Sequence, residues 1–204
     1  MKTLFDWLTD PDFRKRAALY LGKRDLETLN TFIHGYMTAC KDADEEERLC
    51  TPNGLHIRYL RDFIAIREKD RSTGGYAYIL LEATNGDEET AWNRFFEHVD
   101  AFMTLSFLEN VRMTATEEMK QTYKRIERTV RKPDGTEESL PPPDAIRKTR
   151  ISGGFCLLTE IRPGCEKPYS FFYDLMPEEY ADQGLLQQFG YVSWEPEDTM
   201  HSEG

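Results

Sequence analysis

The sequence predicts an α+β fold, a helical N-terminal half packed with a C-terminal antiparallel β-meander of about three strands. Two observations predict it. From Leu4 to Met103, apolar residues recur at steps of three and four, the spacing of a helix face. Beyond about residue 115 that period is lost, and Thr-, Val- and Arg-rich stretches alternate with Pro- and Gly-rich turns. A lone meander is marginal in water and needs a helical layer to bury one of its faces. The helical region is placed at 1–112 and the β-rich region, with its acidic tail, at 113–204, as one continuous domain or two lobes.

Each element has a local reason. Leu4-Phe5-Asp6-Trp7-Leu8 is a short amphipathic piece. Asp10-Pro11 sets a capping residue before a proline, a favoured helix start, and that helix is predicted to run to about Tyr20 and stop at Gly22. Asp25 caps the next helix, whose stripe is Leu26, Leu29, Ile33, Tyr36, Met37 and Cys40. The acidic run that follows cannot be core, and Pro52-Asn53-Gly54 breaks the chain. Leu60, Phe63 and Ile64 line a short helix. Ser72 or Thr73 is expected to cap another through Tyr76, Ile79 and Leu80, ending at Asn85-Gly86. Asp87 caps the clearest helix, with Glu88 and Glu89 in the first turn, where the dipole favours acid. Its stripe is Trp92, Phe95, Phe96, Val99, Phe102 and Met103, read as core.

In the second half, strands are predicted over Tyr123 to Arg131, Ile151 to Ile161 and Tyr169 to Leu175. Lys132-Pro133-Asp134-Gly135 and Arg162-Pro163-Gly164-Cys165 are turns between them, and Gly153-Gly154 reads as a bulge or a close backbone approach within the second strand. A short helix is expected from Glu178 to Phe189.

Composition narrows the function. The chain has 204 residues, with Lys+Arg 26 against Asp+Glu 37 and a net charge of −11. Aromatics at 12% are too frequent for a disordered chain. The negative field repels phosphate backbones, so nucleic acid is an unfavourable partner. No secretory signal and no membrane-spanning run is visible, and a cytoplasmic protein is expected. Cys40, Cys50, Cys156 and Cys165 form no CxxC pair, and His34, His56, His98 and His201 are scattered, so no metal and no cofactor is expected. GxSxG, HExxH, Walker and GxGxxG patterns are absent, and no catalytic residue is assigned. Glu97, His98 and Asp100 offer acid and base types, but neighbours on a helix point different ways.

Charge is unevenly placed. Asp42, Asp44, Glu45, Glu46 and Glu47 form one acidic run, and Asp87, Glu88 and Glu89 a second. Lys120 to Lys132 holds six basic residues against the single acid Glu127, including Lys124, Arg125, Arg128 and Arg131. Arg147, Lys148 and Arg150 add to it, whereas Pro177 to Gly204 holds seven acids and no Lys or Arg. The basic residues read either as a solvated face paired with the acidic tail or as a surface for an anionic partner.

Three segments carry a resemblance. They are Arg16-Ala17-Ala18-Leu19-Tyr20-Leu21-Gly22, the stretch Leu29 to Ala39 with its Gly35-Tyr36, and Gly86-Asp87-Glu88-Glu89 leading into Trp92-Asn93-Arg94-Phe95-Phe96. Across residues 13–103 the chain resembles a family of small acidic bacterial proteins associated with polymorphic-toxin immunity loci. Where the family pattern has Pro and Met in its first motif, this sequence has Ala17 and Leu19, and Leu60 to Arg71 also departs from it. The resemblance implies a non-enzymatic immunity protein that blocks a basic protein partner, such as a toxin nuclease domain, through an acidic surface. Steering charges would then be Asp42, Asp44, Glu45, Glu46 and Glu47, with Asp87, Glu88 and Glu89 second. The alternative is an adaptor or regulatory module that binds nucleic acid or an anionic partner through Lys124, Arg125, Arg128 and Arg131. An enzyme with a site assembled from dispersed residues is a third class.

Overall fold

Helix capping sets the path of the first hundred residues. In the computed structural model, which describes residues 2–70, 72–114, 129–131, 135–139, 145–161, 169–170, 175–181 and 193–196, the chain divides into two compact units at Phe107/Leu108. The division falls before residue 112 because strand β1 (Phe107–Thr114) already begins there.

Thr3 opens α1 (Leu4–Thr9) with a capping box: Thr3 Oγ1 accepts from the Asp6 amide at 3.1 Å, and the Asp6 carboxylate accepts from the Thr3 amide at 2.7 Å. Asp10 caps α2 (Pro11–Lys15), accepting from the amides of Asp12 and Phe13. The single helix predicted to Tyr20 is two helices. Arg16 leaves the helical region at φ −117° and ψ 29°, and α3 (Ala17–Leu21) follows, closed by Gly22 at φ 84°. No proline or glycine marks the break at Arg16.

Asp25 caps α4 (Leu26–Asp42), its carboxylate accepting from the Thr28 amide at 2.7 Å. Replacing Asp25 by alanine is expected to cost about 1 kcal/mol, read as a lower urea midpoint with an unchanged slope. Next come α5 (Leu60–Glu68), α6 (Tyr76–Ala83) and α7 (Glu88–Met103). The cap of α6 is Gly75, without a side-chain cap bond, and not Ser72 or Thr73. The turn before it is held from outside, because the Arg61 guanidinium donates to the carbonyls of Ser72 and Gly74 at 2.5 and 3.0 Å.

Aromatic stripes join in the core of this unit. Phe102 of α7 stacks on Phe5 of α1 (centroids 6.0 Å apart) and meets Phe63 of α5 edge-on at 5.5 Å. Phe95 packs against Tyr76 and Phe96 at 5.0 and 5.1 Å. Every stripe residue predicted for α7 is buried except Met103, which is half-buried.

The second unit is built on strands. β4 (Ala145–Ile151) and β5 (Phe155–Ile161) pair antiparallel from Ala145↔Ile161 to Ile151↔Phe155. The predicted strand Ile151 to Ile161 is thus the last residue of β4, a turn and β5, and Gly153-Gly154 is no bulge. These glycines lie in the turn at φ 81° and 79°, the left-handed region that disfavours a side chain. Along the other edge of β5 run β6 (Tyr169–Ser170), the first two residues of the predicted third strand, and β7 (Met176–Pro177), just past its predicted end at Leu175. The sheet order is β6-β5-β4-β1-β8, with β8 (Ser193–Pro196) antiparallel to β1. Of the predicted strand Tyr123 to Arg131, Thr129–Arg131 is described as β2, paired with β3 (Glu137–Ser139). Tyr123 to Arg128 lies outside the described residues. A helical turn at Glu178–Tyr180 follows β7, and the rest of the predicted helix to Phe189 lies outside the described residues beyond Ala181. The chain is an α+β protein, helical first and then antiparallel β. No described helix is long and apolar enough to cross a membrane.

Candidate functional site

Two places in the helical unit hold chemistry that folding alone does not call for. The first is the end of α4. Its backbone closes with Asp44 at φ 55°, while the Glu45 amide donates to the Cys40 carbonyl at 2.8 Å. Aspartate tolerates that left-handed position better than most residues. The acidic run therefore wraps the C-terminal end of a 17-residue helix. A helix dipole places partial negative charge there, so acids at that end oppose it. Asp42, Asp44, Glu46 and Glu47 are exposed, and among the described residues none of them has an ion-pair partner. Glu45 alone is engaged, by Arg48 at 2.8 Å. Glu46 and Glu47 open a 3-10 turn, Glu46–Leu49. On the same helix Phe32 and Tyr36 are half-buried aromatics, 6.3 Å apart.

The second acidic run is used by the fold. Asp87 is the α7 cap, its carboxylate accepting from the Thr90 amide at 2.9 Å, and that bond holds its pKa below the ordinary carboxylate value. Glu89 is gripped by both terminal nitrogens of Arg24, whose guanidinium also lies 5.3 Å from the Trp92 ring. Glu88 is exposed.

The second place is a cleft of about 410 Å³ between the C-terminal end of α5 and the first half of α7. At its base the Glu68 carboxylate is 4% exposed. Its Oε1 meets His98 Nε2 at 2.6 Å and accepts from Arg94 Nε at 2.8 Å. The His98 side chain is 6% exposed, and Phe63 stands edge-on to its ring at 6.2 Å. Burial outweighs the attraction of Glu68 and holds His98 below its ordinary pKa of 6.5. A neutral imidazole with its proton on Nε2 donates to Glu68 and leaves Nδ1 as a buried acceptor. Nδ1 finds no hydrogen-bond partner among the described residues. This arrangement holds an arginine in place, and the imidazole lines the cleft with little of its side chain exposed.

The residues of this cleft are not those that the sequence singles out as a site. His98 falls in the apolar stripe three residues after Phe95, and such a histidine calls for a buried partner. Nothing local to α7 names Glu68, 30 residues earlier, as that partner.

Lys124, Arg125 and Arg128 lie outside the described residues. Arg131 closes β2, in register with Glu137. Of the basic residues of β4, Lys148 is buried and Arg147 and Arg150 are half-buried. Lys148 pairs with Glu178 at 3.0 Å, and Arg150 contacts Glu178 at 2.6 Å and Glu109 as well. Burial alone would raise the Glu178 pKa, but the hydrogen bonds and charges of Lys148 and Arg150 together hold it below the ordinary value. Glu178 belongs to the acidic C-terminal stretch, so that stretch supplies this pairing. Of the cysteines, Cys40 and Cys156 are buried, Cys50 is half-buried, and Cys165 lies outside the described residues. No group of three or more potential metal ligands comes together among the described residues. Comparison of the chain with models of known protein families, with curated proteins and with solved structures found no match in any of the three.

Proposed function

We propose that this chain is a non-enzymatic binding protein that neutralises a basic protein partner, in the manner of an immunity protein, through the acidic end of α4. One observation carries the reading. Asp42 and Asp44 gather at the negative end of a helix dipole, exposed and without ion-pair partners among the described residues, where they cost stability. A local rule broken with no compensating contact is a mark of function. With Glu46 and Glu47 alongside, these acids form a patch fit to steer a basic cleft toward the protein. Phe32 and Tyr36 on the same helix supply aromatic anchors of the kind that dominate interface energy. The second run contributes less, since Asp87 caps a helix and Glu89 is paired with Arg24.

Further support comes from what the other polar groups do. The His98 imidazole is buried and bound to Glu68, which disfavours a role in proton transfer to a bound substrate. Lys148 and Arg150 are engaged by Glu178, which weakens the adaptor reading for that strand.

The test is affinity capture from the host lysate at low and high salt, with the wild-type chain and with a variant carrying Asp42→Lys, Asp44→Asn, Glu46→Lys and Glu47→Lys. The expected result is a single salt-sensitive basic protein bound by the wild type and lost by the variant. The melting temperature of the variant should stay unchanged or rise, because charge is removed from the unfavourable end of α4. Recovery of nucleic acid or of an acidic protein, equally by both forms, overturns the reading.

A further inference from the structure

The cleft between α5 and α7 has a charge pattern at odds with the rest of the molecule. Acids outnumber bases 37 to 26 along the chain, yet Arg67 of α5 and Arg94 of α7 both line this cleft, and neither gives its terminal nitrogens to a carboxylate among the described residues. Arg94 donates to Glu68 through Nε alone, and its two terminal nitrogens have no hydrogen-bond partner among the described residues. Arg67 rests over the Phe63 ring at 5.5 Å and makes no ion pair among the described residues. One arginine is therefore aimed by a buried carboxylate and the other is supported by an aromatic face. Thr90 and Asn93 place a hydroxyl and an amide on the α7 wall, and Glu97 supplies the one carboxylate on the rim.

We infer that this cleft binds a small oxyanion, a phosphate or carboxylate group, between Arg67 and Arg94. A guanidinium fork matches the two oxygens of such a group and stays charged at any physiological pH. Glu68 takes up the Nε side of Arg94 and so presents the terminal pair, the geometry needed for two parallel bonds to one anion. At about 410 Å³ the cleft lies in the size range of small-molecule sites, enough for an anionic headgroup with a few more atoms. Glu97 opposes the anion and limits affinity, and it favours ligands whose charge is concentrated at the arginine end. This site is independent of the acidic patch on α4, so either can fail without the other.

The experiment titrates the full chain with inorganic phosphate and, separately, with succinate at constant ionic strength, following binding by calorimetry and by the side-chain NMR signals of the arginines. Saturable binding of either anion is expected, with shifts in the Arg67 and Arg94 signals. Arg67→Gln, which removes an exposed side chain without an ion-pair partner among the described residues, should weaken binding about tenfold or more and leave the melting temperature unchanged. Arg94→Gln should weaken it at least as much, and Glu97→Gln should tighten it a few-fold. A response to phosphate alone or to succinate alone assigns the ligand class. No saturable response to either at about 20 mM, or binding that survives both arginine changes, overturns the inference.

Discussion

Truncation of Phe102 to alanine is expected to destabilise the helical unit by about 3–5 kcal/mol. The ring is fully buried and joins three helices, stacking on Phe5 of α1 and meeting Phe63 of α5 edge-on. Its loss removes transfer free energy and opens a cavity. Its ring neighbours Phe5 and Phe63 are themselves fully buried and already packed, so neither can move in without opening a void elsewhere. Since domains are stable by roughly 5–15 kcal/mol, the change consumes about a fifth of the total or more. Urea unfolding followed by tryptophan fluorescence should show a large drop in midpoint at constant slope. Leu19→Ala, at a side chain 79% exposed, is the control and should shift stability by less than about 0.5 kcal/mol. A Phe102→Ala loss below about 1 kcal/mol would show that the three helices do not meet at this ring.

The second large effect is at Glu68. Glu68→Ala is expected to cost about 2–3 kcal/mol. Most of this arises at His98, whose buried Nε2–H would lose its acceptor. The Arg94 bond contributes little, because that side chain is 41% exposed and water can replace the contact. Glu68→Gln keeps an acceptor oxygen and should recover more than half of the loss.

The pair also predicts a pH dependence. Folded His98 titrates below 6.5, its ordinary value when unfolded. Between those two values the unfolded chain binds a proton that the folded chain does not, so stability rises with pH across the window. The contribution is fully present above about pH 6.5 and declines below it, by at most about 1.4 kcal/mol per pH unit. His98→Gln removes this slope. Glu68→Gln removes the carboxylate that favours the charged imidazole, so His98 falls further and the decline continues to lower pH. Unfolding midpoints measured from pH 7.5 to 5 decide it. A wild-type slope no different from that of His98→Gln would show that this histidine does not titrate between its folded and unfolded states.

Local chemistry made the helical unit legible. Asp10, Asp25 and Asp87 stand where a capping carboxylate meets free amides, and each caps as its position predicts. The stripes of α4 and α7 follow from a period of 3.6 residues, which needs no knowledge of distant partners. Arg16 is the exception, because a backbone departure without proline or glycine leaves no sign in the sequence. The strands were harder to read. Two adjacent glycines suit a bulge and a tight turn alike, and only the pairing of Ile151 with Phe155 distinguishes them. Burial of Lys148 was hidden for the same reason: its partner Glu178 lies 30 positions away and approaches only through the sheet.

The division of labour follows the range of the forces involved. By itself the sequence determined the α+β class, the caps, the apolar faces and the exposure of the Asp42 to Glu47 run, all set by neighbours within a turn or by charge too dense to bury. Tertiary structure alone decided which acids remain available and which are spent. It assigned Glu89 to Arg24 and Asp100 to Arg14, and it brought Glu68 of α5 against His98 and Arg94 of α7. A hydrogen bond acts over about 3 Å whatever the separation along the chain, so such pairings exist only once the helices have packed.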